Sequence, residues 1–568
     1  MSLFSAMRMA SNTLRADQIA MQVIGQNIAN ANTPGYIREE TALTPGPTQR
    51  KGGLLLGLGV RVEAIVQKID LFLEERLRGA VSDQASAESR ESAYVQLEQL
   101  VGELGDSDIS TAMTSFFNSL SEVLNQPEDV SVRNLAVLNG ATLTQQIQQL
   151  SSGVAEVRDN LNTRIEQLAG ETNRLIDEVR DLNMQIAQTE GGDASKSDAV
   201  GLRDRRLQAL EGLAKIVDIR IQEQPSGTVT VYAGGDFLVS DGEVRHVKVA
   251  HKNEDGVAMA EVRIEQTDSL LPANAGELHG VMAARDEILG GFLNNLDTFA
   301  ATFTFEFNKV YSAGQGLNGY KQLTSEFAVP DAQKALNDAG LAFEPTTGSF
   351  QVISYRTING QKVREHTTDV YVDLTGQGHD TTLADVATAL DGIDGVTASI
   401  TADGKLTIAT DSPEQEIAFS GDTSGLLAAL GLNTFFTGSN ARTMGVNAAL
   451  RSDPAKLAAS QGGLGTDTKN AVALAGFIDR PLASQNNASL SVLYDRLVGE
   501  TTQGANVTKA TAEGARVFEE TLRGQKTSIS GVSLDEEAVQ LIQFQKSFQA
   551  SSRFIAVLQD LFDMLVKI

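Results

Sequence analysis

The chain has 568 residues, more than one hydrophobic core usually serves, so about three to four domains are expected. Its apolar content of 41% is that of a folded chain, while its net charge of −27 argues against a nucleic-acid backbone or an anionic membrane as main partner, since both are met by clustered Lys and Arg. The absence of cysteine excludes disulfides, thiolate metal sites and thiol catalysis together.

The first element is a helix over residues 2–32. Leu3, Met7, Ala10, Leu14, Asp17, Met21, Ile24 and Ile28 recur at alternating steps of four and three, the narrow seam of coiled-coil packing. Asp17 is the polar exception, of the kind that sets register at some cost in stability. Arg8 and Arg15 leave no continuous apolar core for a secretory signal, so none is expected. Asn30, Asn32, Thr33, Pro34, Gly35 and Tyr36 form the stop, because Pro34 biases Thr33 away from helix and Asn and Gly supply turns. Residues 36–80 read as mixed, with a turn at 44–47, a Gly-rich run through Gly59, extended chain at 60–66 and a short helix near 71–77.

From 81 to about 189 the pattern is helical, in segments 82–104, 109–124 and a third after Pro127. Leu150, Val154, Val157, Leu161, Leu168, Leu175, Val179, Leu182 and Ile186 carry one stripe through a helix covering 132–189, long enough to be a stiff rod. Gly191 and Gly192 end it, and 202–217 is a further helix. The period then shortens to strands at 219–221, 229–231, 244–249 and 257–264. Helix returns over 280–311. The block 317–440 is strand-rich, with strands at 350–355, 369–374, 397–401 and 405–410 and one helix at 383–390. Helix resumes from Ala471 to the end, broken near Gly531.

The last stretch, 534–566, repeats the seam of the first: Leu541, Phe544, Phe548, Ser551, Ile555, Leu558, Phe562 and Leu565. A lone narrow stripe is not stable in water. Its partner is either the other end of the chain, in a hairpin, or a neighbouring copy. The flanking uncharged Gln22, Gln26, Asn27, Gln540, Gln543, Gln545 and Gln549 suit contact with other subunits.

Chemistry-bearing motifs were weighed in turn. Gly314, Gly316 and Gly319 match a dinucleotide fingerprint by letter but follow a helix rather than a strand, so they read as a loop. The histidines at 246, 251, 279, 366 and 379 include no pair at helical metal-ligand spacing. Paired acids at 74–75, 519–520 and 536–537 are adjacent, and on a helix they point about 100° apart. Sequons at Asn487 and Asn506 mean little without a secretory signal. No catalytic, cofactor or metal residue is expected.

Ten consecutive residues, which include Asn27, Asn30, Thr33, Pro34, Gly35 and Tyr36, resemble the amino-terminal signature of bacterial flagellar rod, hook and hook-associated axial proteins. Gly531, Val532, Asp535, Glu536 and Glu537, followed by Gln545 to Ser551, resemble the carboxy-terminal signature of the same family. Three inner stretches are similar to the hook-associated branch: Gly59 to Val62 with Asp70 to Leu73, Leu202 to Leu207 with Val217 to Ile219, and Ala429 to Gly438. One departure is Tyr311, where the family usually carries His. A long helical domain disfavours hook protein, and the first signature disfavours flagellin.

The resemblance implies a non-enzymatic structural protein of the first junction ring between hook and filament, exported through the flagellar channel without a cleaved signal. It implies as partners other copies of the chain, hook protein, the next junction protein and an export chaperone, with no nucleic acid and no membrane. The expected fold is α+β and nested: a terminal coiled coil (1–36 plus 533–568), a helical rod domain (37–316 plus 441–532) with a small β region near 219–265, and a β-rich outer domain (317–440). The expected assembly interface is Leu3, Met7, Leu14, Met21, Ile24 and Ile28 with Leu541, Phe544, Phe548, Ile555, Leu558, Phe562 and Leu565. Within the same class another axial component (hook or rod protein) would be the alternative, and from a different class a wall-glycan hydrolase or adhesin built from 317–440.

Overall fold

A computed structural model describes residues 3–51, 54–102, 108–191, 199–254 and 257–566. The helices in chain order are α1 (Leu3–Asn30), α2 (Leu71–Gly102), α3 (Ile109–Asn125), α4 (Val130–Glu190), α5 (Val200–Ile216), α6 (Gly276–Ala283) and α7 (Gly290–Ser312). They continue with α8 (Leu383–Asp391), α9 (Leu426–Leu430), α10 (Ala448–Ser452), α11 (Lys469–Ala475), α12 (Leu490–Ser530) and α13 (Leu534–Val566). With small antiparallel sheets between them, the fold is α+β, as the pattern predicts. The chain divides into two compact units: Met1–Ala93 with Asp159–Arg285 and Asn506–Ile568, and Tyr94–Arg158 with Asp286–Ala505.

In the first unit α1 lies along α13 and also against a hairpin of strands Glu39–Pro45 and Val60–Gln67. Gly59 permits that second contact: at φ +85° it packs so closely that an added Cβ would stand 2.7 Å from Met9 O, and Asn12 donates to Leu58 O at 2.9 Å. Further along, Ile165, Leu168, Ile176 and Val179 of α4 share a core with Leu210 and Leu213 of α5 and with strands Val229–Ala233 and Val257–Ile264.

Three asparagines fix those strands to the long helix. Asn162 donates to Ala258 O (2.9 Å) and accepts from Ala260 N (3.1 Å). Asn173 makes the same two bonds with Val247 (2.8 and 2.7 Å), and Asn183 with Val229 (2.8 and 3.0 Å). They recur about every three turns of helix, so one face of α4 imitates a neighbouring strand and satisfies backbone groups that would otherwise be buried unpaired.

The second unit is centred on aromatic rings. Phe116 and Phe117 of α3, Phe303 and Phe307 of α7, and Phe435, Phe436 and Phe477 stack edge to face or tilted, with Phe435 and Phe436 centroids 4.7 Å apart. A separate core lies between a sheet of Gln361–Val372, Gly348–Ile358 and Gln415–Ser420, a sheet of Gln322–Thr324, Leu406–Thr410 and Val396–Ile400, and α8.

Several boundaries differ from the sequence pattern. The short helix near 71–77 and the segment 82–104 are one helix, ending at Gly102 with 103–107 outside the described residues. Leu73, Leu77, Ala80 and Val81 pack on Leu522 of α12, and this tertiary contact carries the helix through Gly79. The helix expected at 280–311 starts at Gly276 and passes through a π-helical turn at Ala284–Leu289. Residues 476–489 leave the α-helix for two short 3-10 turns, Phe477–Asp479 and Ala483–Gln485, because Gly476 caps α11 and Asn486 and Asn487 both take positive φ. Strands Asp236–Ser240 and Gln415–Ser420 were not anticipated, and the strand expected at 369–374 is the end of the longer Gln361–Val372. Of the stop at Gly191 and Gly192, Gly192 lies outside the described residues.

Candidate assembly site

The two signature segments meet in one buried polar node. Asn27, at the end of the buried face of α1, donates to Glu39 O (2.9 Å) and to Glu537 Oε2 (3.1 Å). Its Oδ1 accepts from Tyr36 OH (2.8 Å) and from Glu39 N (3.0 Å). All four bonding positions of the side-chain amide are filled. Arg38, 4% exposed, bridges Glu536 (2.6 Å) and Glu537 (2.8 Å) at the start of α13, while its N–H donates to Ser530 O (2.9 Å).

The return helix joins the same node. Asp204 of α5 accepts from Ile37 N (3.5 Å) and from the Gln67 side chain. Gln208 donates to Pro34 O (3.0 Å) and lies across Gly35, whose φ of +77° and lack of a Cβ make room for it. The two signature segments, hundreds of residues apart, are thus hydrogen-bonded to one another, and α5 bonds to the first of them and to residues beside it.

The node holds more acid than base. Burial pushes Asp204 up to about 6, against the lowering effect of its bonds to Ile37 N–H and Gln67 and of Lys526. Burial, and then the charge of Asp204, also raises Glu39. Burial raises the Tyr36 phenol well above its ordinary range, with Glu39, Asp204 and Glu537 adding to the effect. Arg38 is raised in spite of its own burial, because Glu536 and Glu537 face it.

In the second unit another of the stretches that carry the family resemblance, 429–438, meets the end of α7. Asn308 Oδ1 accepts from Phe435 N and Phe436 N (both 3.1 Å), and its Nδ2 donates to Phe436 O (2.8 Å). Tyr311 is fully buried against Phe307 and Phe435, its hydroxyl accepting from Ala458 N at 3.0 Å. The residue that departs from the family pattern is therefore a core side chain.

The terminal helices place the expected interface residues as follows. On α1 the buried row is Ala6, Ala10, Asp17, Ala20, Ile24 and Asn27, joined by Ala16 and Val23. It keeps Ala10, Asp17 and Ile24 of the expected seam. Leu3, Met7, Leu14 and Met21 are half-buried on its flank and Ile28 is exposed. On α13, Leu541, Phe544, Phe548, Ile555 and Phe562 are half-buried and Leu558 is buried, while the Leu565 side chain lies outside the described residues. Phe562 meets Phe4 of α1 edge to face at 4.8 Å, and Ser547 hydrogen-bonds the Asp17 carboxylate, which burial raises above its usual range.

A second apolar row on α13 is exposed. Phe554, Val557, Leu561 and Met564 are 40–59% exposed. With Ala550 they follow the same four–three period, one residue before the first row. This second heptad is visible in the sequence once it is sought. The node residues Arg38, Glu39, Gln67 and Asp204 carry no such periodic signal.

Comparison with known proteins agrees with this arrangement. Residues 7–36 match the family model of the flagella basal body rod protein, and 525–568 that of the flagellar basal body rod FlgEFG protein C-terminal region. Residues 94–327 match the helical domain of the flagellar hook-associated protein FlgK. These matches make the chain similar to the flagellar axial proteins, a structural class rather than an enzyme class.

Within that class its similarity is to flagellar hook-associated protein 1. It is 25% identical to that protein of Salmonella typhimurium over 570 residues, covering 98% of this chain and 99% of the relative. The Escherichia coli K12 protein is likewise 25% identical, and that of Bacillus subtilis 24% identical over all of this chain and 98% of its own. The fold is shared with the flagellar hook junction protein FlgK of Burkholderia pseudomallei (TM-score 0.50, 15% identity, 80% of this chain and 100% of that one).

Proposed function

We propose that the chain is the structural subunit of the first ring between flagellar hook and filament, required for filament assembly and without chemistry of its own. The observation that carries this reading is the terminal helix pair: the node clamps its root, and an apolar row on α13 stays uncovered. Other copies of the chain cover that row. Hook protein lies below the ring and the next hook-associated protein above it. The segments 1–36 and 533–568 act as the axial part and 317–440 as an outward spacer.

The pair is weakly closed within one chain. Among the described residues of α13 only Glu537 and Leu558 are buried, and half of the buried residues of α1 are alanine. Small side chains bury little apolar area, so the hairpin gains little beyond the entropy of ordering it. Packing between copies supplies the rest. Such loosely held ends also suit export in an unfolded state through the flagellar channel, with a chaperone holding the C-terminal helix until delivery.

Deletion of the gene tests the reading. Bare hooks with unpolymerised flagellin in the medium are expected. Absent hooks would move the protein down to the hook or rod, and normal filaments would overturn the proposal.

A further inference from the structure

The first unit carries an exposed apolar shelf apart from the terminal pair. Leu71 and Phe72 of α2 are 62% and 68% exposed, and Val517 and Phe518 of α12 about half exposed. The Arg76 guanidinium stands over both rings, 5.8 Å from the Phe72 centroid and 6.0 Å from that of Phe518. Beneath them the buried α2–Leu522 contact makes the shelf rigid. Contiguous exposed aromatic surface of this kind marks an interaction site, and an Arg flanked by aromatics has the composition of an interface hot spot.

Two glycines point the same way. Gly79 follows Phe72 and Arg76 at helical spacing, and Gly514 precedes Phe518 by one turn. Nothing lies within 4 Å of where their Cβ atoms would be. A glycine inside a helix is less favourable than alanine, and no contact among the described residues accounts for either one.

The same unit carries a surface of matching character. At the start of α13, Leu534, Val539 and Ile542 are each more than half exposed, beside exposed Asp535 and Glu536. One patch is apolar around a cation, the other apolar around carboxylates. In a chain of net charge −27, most encounters between copies are repulsive, and this pairing is attractive. A ring requires a head-to-tail contact between two unlike patches of one subunit.

We infer that the Phe72–Arg76–Phe518 shelf of one copy receives the first turns of α13 of a second copy, with Arg76 facing Asp535. The inference rests on the reading that copies of this chain assemble with one another, and it names the contact.

The chain has no cysteine, so crosslinking is unambiguous. Arg76→Cys combined with Asp535→Cys, oxidised in hook–filament particles detached from cells, should give a ladder of covalently joined copies. Each single variant should give none beyond the background of a symmetric pair. As a second measurement, Arg76→Glu and Asp535→Arg should each lower incorporation into particles about tenfold, the loss expected from about 1.4 kcal/mol. Combining them should restore incorporation to within about twofold of wild type.

A species linked only within one chain, a link to a different protein, or a combined charge variant no better than its worse parent would overturn the proposal. Val557→Asp with Leu561→Asp separates this failure from that of the reading beneath it. If that variant is excluded from particles while the Arg76 and Asp535 variants incorporate normally, only the shelf contact falls. If it too incorporates normally, assembly through the terminal helices falls with it.

Discussion

The aromatic core of the second unit and the terminal helix pair of the first are both helix packings, but they end differently. Around Phe307 every ring is buried, and backbone groups left open by the loop at Phe435 and Phe436 are paired by Asn308. Along α13 one apolar row faces α1 and another faces outward. The first region completes its packing within one chain, whereas the second has surface left over. Surplus apolar surface is what a subunit needs if it is soluble alone and stable in a ring.

The largest effect that would break this contrast is on the outward row. Val557→Asp with Leu561→Asp should abolish incorporation into the flagellum, while melting temperature and circular dichroism stay near wild type, since exposed substitutions usually change stability by no more than about 0.5 kcal/mol. Leu558→Asp with Phe562→Asp, on the inward row, should also block incorporation. It should differ by separating α1 from α13, seen as faster hydrogen exchange in both helices of the free protein. Equal exchange in the two variants would mean that the two rows are not distinct.

Next in size is the aromatic core. Phe307→Ala should destabilise the second unit by roughly 3–5 kcal/mol, the usual cost of removing a fully buried phenylalanine, read as a fall in the urea midpoint. A loss below 1 kcal/mol would mean that this core is looser than its geometry. Asn27→Ala should cost less, roughly 1–3 kcal/mol for leaving Glu39 N–H and Glu537 with fewer partners, and the loss should be confined to protection of the terminal helices.

The smallest effect sharpens the picture of the node. The folded pKa of Asp204 is about 6, above the unfolded 3.8. A carboxyl raised on folding contributes stability that is present below about pH 4 and lost as pH rises through 6. Asp204→Asn should therefore be less harmful at pH 7 than at pH 4.5, by up to about 2 kcal/mol before solvent screening is discounted. Unfolding titrations of both proteins at the two pH values would check this. An equal cost at both would show that Asp204 does not titrate in that window.

Much of this architecture was legible in the residue pattern. The stripe of α4 predicts a rod-length helix, and the four–three period at both ends predicts paired terminal helices with one seam each. The family-like segments could be picked out one by one, but not the fact that they touch. Asn27, Asp204 and Glu537 lie on three different helices and Arg38 in a loop, with no shared spacing, and only the folded chain brings them together. The three asparagines of α4 were equally hidden, since their partners are backbone groups, which every sequence has.

By itself, then, the sequence determined helix positions, their apolar rows and the absence of thiol chemistry, because these follow from local periodicity and composition. Tertiary structure decided which row meets which partner. On α1 the buried face turned toward Ala6, Ala16 and Ala20, away from Met7, Leu14 and Met21, because the helix is packed by α13 on one side and by the hairpin ending at Gly59 on the other. Close approach by two partners favours small side chains over large ones. Periodicity identifies the candidate rows, and only contacts between residues distant in sequence select between them.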